Sequence, residues 1–155
     1  MNDLKRMDRL FHFVLKSFVE RGHGPDFEEI GRAFDLDPEG GRALLRELIA
    51  TGIQAWLQPG TDHIASFAPF NNQPTRYRVS IDGKQKWFAQ CGFEALAISW
   101  LVPGQEVAIE SPCPDCEGSI RVSIRDGVLE AMEPETIVAY TDVPLARWRE
   151  DRAYN

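Results

Sequence analysis

The hydrophobic periodicity of this chain changes about halfway along, and this change limits the fold more than any other feature. In the first half, apolar side chains recur three and four positions apart, which is typical of amphipathic helices. From Tyr77 onward, apolar and polar residues alternate as in half-buried strands. The segment 69–74, with two prolines and two asparagines, separates the halves. We therefore predict an α+β protein with two domains, residues 1–68 and 69–155.

The first domain has the start and stop signals of three helices. Asp26, followed three residues later by Glu29, predicts a capped second helix, and Asp37-Pro38 predicts the start of a third. Two short strands at 53–57 and 63–67 complete a winged helix-turn-helix-like pattern. The predicted core face of the third helix comprises Ala43, Leu44, Leu45, Leu48 and Ile49.

The second domain is predicted to be a small, mostly antiparallel sheet with one helix packed on it. The helix is expected over 91–101, with Leu96, Ala97, Trp100 and Leu101 as its apolar residues. Asp126-Gly127 between alternating runs predicts a tight hairpin. The predicted strands cover 77–81, 86–89, 107–109, 120–124, 128–131 and 136–140.

Composition and charge exclude several classes of function. No apolar run approaches the ~20 residues of a membrane span, and the amino terminus does not resemble a signal peptide, so we expect a cytoplasmic protein without membrane contact. The net charge of −7 argues against general affinity for nucleic acid. The third helix carries Arg42 and Arg46 but also Glu39 and Glu47, and the predicted wing at 58–63 has no Lys or Arg to contact phosphate. We do not expect DNA binding.

Cys91 and Glu94 form the first candidate site. Cys91 follows a predicted strand and opens a predicted helix, where the helix dipole is expected to lower the pKa of its thiol. Glu94 lies about one turn further on, so a soft-metal ligand and a proton carrier would share one face. From the spacing alone, the alternative is favoured, with Cys91 as a packing residue and Glu94 as a solvated acid.

Cys113 and Cys116 form a second candidate site, a Cys-Pro-Asp-Cys turn between two predicted strands. The chain has three cysteines, an odd number, and they are expected to be reduced. Such a turn can supply half of a zinc-binding knuckle, but the sequence contains no second Cys-x-x-Cys pair. Two interpretations stay open. Either the thiols only occupy a turn, or Cys91, Cys113 and Cys116 converge on one soft metal ion.

Five segments of the sequence form a pattern that runs in a fixed order along the chain: residues 66–70, 74–79, 87–96 and 107–113 and the pair Glu133-Pro134. The most specific part is a cysteine with an acid three residues later at a helix start, followed by a Ser-x-Cys strand end. On these residues, the sequence resembles the core of the alkylmercury lyases. The resemblance extends over roughly residues 29–140.

The resemblance implies cleavage of the carbon–mercury bond of organomercurials and a role for each matching residue. Cys91 would bind mercury, and Glu94, an aspartate in the best-known members, would relay a proton to the leaving carbon. Glutamate is one methylene longer, and a displacement near 1 Å can cost on the order of 100-fold in rate. Cys113 matches a cysteine with a structural role. No cofactor is implied, since mercury is substrate and product.

After the predicted sheet, the sequence departs from the family pattern. The family's second catalytic cysteine would be expected near Asn155, but no cysteine follows Cys116 in this sequence. Either the chain is shorter than its relatives, or this member works without that thiol. Loss of the final elements would expose a sheet edge that a second subunit could cover, which makes a homo-oligomer one expectation.

Three functions therefore stay open. The first is a carbon–mercury lyase, complete or impaired, with small organomercurials and cellular thiols as its partners. The second is a non-enzymatic protein that binds a soft metal or an organometal through Cys91, Cys113 and Cys116. The third is a metal-responsive regulator that uses the first domain on DNA, which the negative charge disfavours.

Overall fold

The helices of the first half begin where their capping residues predict. The computed structural model describes residues 3–139. Asp26 and Glu29 form a complete capping box at the second helix, and Asp37 caps the third, with Pro38 in its first turn. The three helices are α1 (Asp3–Arg21), α2 (Phe27–Ala33) and α3 (Pro38–Ala50).

Three short antiparallel strands complete this first unit, which ends at Gln73. They pair in the order β1-β2-β3, and they are β1 (Ala55–Leu57), β2 (Ile64–Phe67) and β3 (Phe70–Asn71). The two-residue strand β3 lies in the segment that the sequence marked only as a connection. Phe70 is fully buried, and its ring stacks on Phe18 with 5.1 Å between centroids, so this segment belongs to the core of the unit.

Helices α2 and α3 approach so closely that their backbones touch at Gly41. A Cβ atom at this position would lie 2.2 Å from the carbonyl oxygen of Phe27 and 2.6 Å from the amide nitrogen of Gly31. Such distances are far shorter than van der Waals contact and involve backbone atoms that cannot move aside alone. The packing of the two helices therefore depends on glycine at position 41.

We expect Gly41→Ala to destabilise the protein by about 3 kcal/mol, because overpacking typically costs 1–3 kcal/mol or more. In a helix without this contact, the same change would stabilise by roughly 0.5–1 kcal/mol. Urea unfolding followed by circular dichroism measures the difference. Glu47→Ala on the exposed side of α3 is the control and should stay within about 0.5 kcal/mol. An equal effect of both substitutions would contradict the close contact.

The second unit begins at Pro74 and contains a five-stranded antiparallel sheet in the order β5-β4-β6-β7-β8. The predicted Asp126-Gly127 hairpin is present, with both residues at positive φ (51° and 79°). The α+β class is thereby confirmed. The strands are β4 (Arg78–Ile81), β5 (Lys84–Ala89), β6 (Val107–Pro112), β7 (Ser119–Arg125) and β8 (Val128–Glu133), and the helix is α4 (Gly92–Ala97).

Four expectations about these elements were wrong. The helix predicted over 91–101 ends at Ala97 and continues as a 3₁₀ turn, Ile98–Leu101. Residues 136–139 form no strand, and Tyr140, the end of that predicted strand, lies outside the described residues. Ala43 is exposed instead of lying in the core face of α3, and Trp100 is 69% exposed.

Among the described residues, no helix is long and apolar enough to cross a membrane.

Candidate active site

The end of strand β5 determines where Cys91 lies. Trp87 and Ala89 on this strand are buried, which fixes it in the sheet of the second unit. Beyond the regular pairing, the hydroxyl of Thr75 donates to the carbonyl of Ala89 at 2.7 Å, and the amide of Ala89 donates to the carbonyl of Tyr77 at 3.0 Å. These bonds hold the chain in a defined position two residues before Cys91.

Cys91 is the N-cap residue of α4. Its backbone is extended (φ −148°, ψ 175°), and its Sγ accepts a hydrogen bond from the amide of Glu94 at 3.4 Å. Ala95 and Ile98 are fully buried and anchor the helix that follows. The thiol thus takes the place that a serine or aspartate oxygen usually occupies at a helix start. Its orientation is set by the helix itself.

The pKa of the Cys91 thiol is raised, not lowered as predicted. Burial is the main cause, because it disfavours the thiolate, and the nearby charge of Glu94 acts in the same direction. The hydrogen bonds from the amides of Glu94 and Phe93 oppose this shift but are outweighed. Since α4 has only six residues, its dipole is weak, and desolvation decides the direction.

Glu94 is half-buried at the same helix start and carries an unusual carboxyl group. Burial raises its pKa to about 7, so the carboxyl is partly protonated near neutral pH. Its Oε2 atom is buried and has no hydrogen-bond partner within residues 3–139. A buried polar atom without a partner is unfavourable, and such atoms occur where a site awaits a ligand or a reaction.

Tyr77 is a neighbour of this pair that the sequence did not reveal. A Cβ atom on Gly92 would lie 3.3 Å from Cε1 of Tyr77, so the ring rests against the backbone at the helix start. Burial raises the pKa of the Tyr77 phenol, and the charge of Cys91 adds to that shift. The sequence marked Tyr77 only as a strand residue. Its spacing carries no signal of this contact, which depends on the pairing of β4 with β5.

Cys113 and Cys116 lie in the turn between β6 and β7 and do not join Cys91. Within residues 3–139, no group of three or more His, Cys, Asp or Glu side chains is placed to hold a metal ion. The interpretation in which all three cysteines converge on one ion is therefore wrong for this structure. The amides of Cys116 and Asp115 donate to the sulfur of Cys113 and lower the pKa of its thiol.

A polar cavity of about 650 Å³ lies in the second unit, and neither Cys91 nor Glu94 lines it. Its charged groups are mostly paired, since Arg76 contacts Glu117 at 2.7 Å and Arg78 lies 3.7 Å from Glu110. The cavity therefore offers little free charge to a ligand.

The local chemistry defines a thiol and a protonatable carboxyl held together at a helix start. The alkylmercury lyase family profile matches residues 70–154 of the chain. Because that match covers more than half of the sequence and includes Cys91 and Glu94, the chain belongs to the alkylmercury lyase family. This class of enzyme cleaves carbon–mercury bonds.

Individual relatives agree with this assignment. Alkylmercury lyases from Bacillus cereus and Clostridium butyricum are each 34% identical over 71 residues, which is 46% of this chain and 32% of theirs. The matched segment thus spans about a third of the length of these curated relatives. A crystal structure titled as the mercury-bound form of MerB2 superposes with a TM-score of 0.62 at 17% identity, covering 81% of this chain and 60% of that one. This likeness shows the shared fold.

The raised pKa of Glu94 predicts a specific pH dependence of stability. The folded chain holds this proton up to about pH 7, whereas the unfolded chain releases it near the ordinary value of 4.5. Because the folded pKa is the higher one, the stabilisation is full below about pH 4.5 and is lost as the pH rises to about 7. The total loss is roughly 2 kcal/mol after allowance for partial solvent screening.

Glu94→Gln should remove this loss, so the stability of the variant relative to the native chain should increase between about pH 4.5 and 7. Urea midpoints measured across this range test it. Glu47→Gln on the exposed side of α3 is the matched control, and its difference from the native chain should not change with pH. If the urea midpoints of Glu94→Gln and of the native chain change with pH in the same way, the carboxyl pKa is not raised.

Proposed function

We propose that this chain cleaves carbon–mercury bonds by protonolysis, with Cys91 as the mercury ligand and Glu94 as the proton relay. The observation that carries the proposal is the state of Glu94. Its carboxyl has a pKa of about 7, and its buried Oε2 has no partner within residues 3–139. A carboxyl in this state is able both to accept and to donate a proton near neutral pH.

In the first step, the sulfur of Cys91 bonds to the mercury of an organomercurial cation. The thiol loses its proton as the sulfur–mercury bond forms, and the ionised fraction of Glu94 accepts that proton. The raised pKa of the thiol means that the proton is still on the sulfur before mercury arrives. A nearby base is therefore required. Glu94 lies three residues after Cys91 in the first turn of the helix, and its backbone amide donates to the same sulfur.

In the second step, Glu94 transfers the proton to the carbon bonded to mercury. The electron pair of the carbon–mercury bond forms the new carbon–hydrogen bond, and the hydrocarbon leaves. Mercury stays in the divalent state on Cys91, and Glu94 returns to a carboxylate. Charge and electrons balance without any cofactor. Small thiols from the surrounding compartment supply further sulfur ligands and remove the metal, as expected in the cytoplasm.

The length of the Glu94 side chain is the feature expected to limit the rate. The carboxyl reaches about one bond length further than an aspartate carboxyl at the same position would. Misplacement near 1 Å can reduce a rate by on the order of 100-fold. We therefore infer slow turnover, with mercury capture by Cys91 less affected than the proton transfer.

Incubation with an organomercurial and excess thiol tests the proposal through the rate of hydrocarbon release. We expect release above the thiol-only background. It should fall to that background in Cys91→Ser and by at least about 100-fold in Glu94→Gln, since removal of a general acid costs 10²–10⁴-fold. Glu94→Asp should keep measurable release. The matched control Glu47→Gln in the first unit should release hydrocarbon at the native rate.

The same experiment contains the result that would contradict a lyase. Release equal to the background, unchanged by Cys91→Ser, would remove the enzymatic proposal. Release that depends on Cys91 but not on Glu94 would contradict only the relay role. The native chain and Glu94→Gln would then differ in stability alone.

The second candidate function is binding of organomercurials without cleavage. It is favoured by the observation that, within residues 3–139, Cys91 belongs to no group of three or more His, Cys, Asp or Glu side chains placed to hold a metal ion, so Cys113 and Cys116 are not gathered with it around one mercury ion. Mass spectrometry separates the two functions. A binding protein would retain the whole organomercurial on Cys91, whereas a lyase would retain mercury without its organic group.

For the first unit, we propose that the winged-helix-like fold has a structural role and does not bind DNA. Both arginines of α3 are bound to one buried carboxylate. Arg42 Nη1 donates to Asp62 at 2.6 Å and Arg46 Nε donates at 2.7 Å, with the Asp62 side chain 7% exposed. The guanidinium of Arg42 also stacks on the ring of Phe27, 4.2 Å from its centroid. Arginines held in this way are poorly placed to contact phosphate.

We therefore expect no retardation of duplex DNA in a mobility-shift assay at low salt, where phosphate contacts are strongest. The negative net charge acts in the same direction. Retardation that disappears in Arg42→Ala or Arg46→Ala would contradict the structural role and favour the regulator. Glu47→Ala on the same helix controls for changes in helix stability.

A further inference from the structure

We propose that the turn containing Cys113 and Cys116 is a two-thiolate site for a soft cation that takes two ligands, of the class to which Hg(II) and Cu(I) belong. The site is separate from Cys91 and does not depend on carbon–mercury cleavage. It rests on the hydrogen bonds that close the turn between β6 and β7, on the position of the Cys116 sulfur against Gly118, and on the lack of further protein ligands among the described residues.

The backbone of this turn is closed on both sides of Cys113. The amide of Cys113 donates to the carbonyl of Gly118 at 2.7 Å, and the amide of Glu117 donates to the carbonyl of Cys113 at 3.0 Å. The backbone amides of Cys116 and Asp115 point at the sulfur of Cys113. The first ligand is therefore preorganised.

The second sulfur is adjacent and accessible. The Cys116 sulfur lies against Gly118, whose carbonyl accepts from the amide of Cys113, and Cys116 is exposed whereas Cys113 is half-buried. A Cβ atom on Gly118 would lie 3.3 Å from the Cys116 sulfur, so glycine leaves space for this side chain to rotate. Rotation of Cys116 can place the two sulfurs on opposite sides of an ion.

The number of donors selects the kind of ion. Zinc in structural sites takes four ligands, but within residues 3–139 no third His, Cys, Asp or Glu side chain joins this pair in a metal-binding group. Glu117, the nearest acid in sequence on that side, is held by Arg76 at 2.7 Å. Ions that are satisfied by two thiolates are thus favoured over ions that need four ligands, and soft thiolate ligands favour soft metals.

The test uses the full chain with Cys91→Ser, so that the first thiol cannot contribute. The protein is titrated with mercuric chloride in the presence of excess glutathione, and bound mercury is counted by native mass spectrometry. We expect one ion per chain. Adding Cys113→Ser or Cys116→Ser should weaken binding by at least about 100-fold, because the second thiolate acts at high effective concentration. Adding Asp115→Asn, which keeps both thiols, is the matched control.

Alkylation of the native chain provides a second measurement that needs no substitution. Mercuric ion at one equivalent beyond that bound by Cys91 should protect Cys113 and Cys116 from iodoacetamide together. Three results would overturn the proposal: protection of only one of the two thiols, equal affinity after Cys116→Ser, or one ion shared by two chains with four sulfurs. Loss of hydrocarbon release in Cys91→Ser with intact mercury binding here would show that the two sites are independent.

Discussion

The withdrawal of the Glu94 carboxyl from water is the constraint on which the proposed chemistry of this protein depends. The end of β5 is held by Thr75 and Tyr77, and the buried residues of α4 fix the helix that begins at Cys91. This junction brings the acid into a partly apolar environment beside a thiol. Burial moves the pKa of the Glu94 carboxyl into the neutral range, which the position of Glu94 in the sequence does not predict.

The thiol and the acid show two effects of one cause. Desolvation penalises both charged forms, so the pKa of Cys91 and that of Glu94 are raised together. A raised thiol pKa is unfavourable for metal capture, while a raised carboxyl pKa is favourable for proton transfer. In the proposed reaction the two groups compensate, since the acid accepts the proton that the thiol must lose.

The two thiol sites of the second unit differ in how their sulfurs are stabilised. Backbone amides donate to both sulfurs, but at Cys91 burial and the charge of Glu94 outweigh them and raise the thiol pKa, whereas at Cys113 they prevail and lower it. We therefore propose the first site for a reaction that moves a proton and the second for holding an ion. In the first unit, the helix arginines are bound to Asp62, which is consistent with a supporting role.

Local sequence patterns were sufficient to predict the α+β class, the capped starts of α2 and α3, the Asp126-Gly127 hairpin and the family, and they marked Cys91 with Glu94 as the candidate pair. These features depend on local periodicity, capping and short motifs, which one stretch of chain contains in full. Long-range packing sets the direction of the Cys91 pKa, the contact of Tyr77 with Gly92, the burial of Phe70 and the separation of Cys113 and Cys116 from Cys91. Each of these depends on residues that are distant in sequence but pack together and exclude water, and no local sequence pattern predicts such packing.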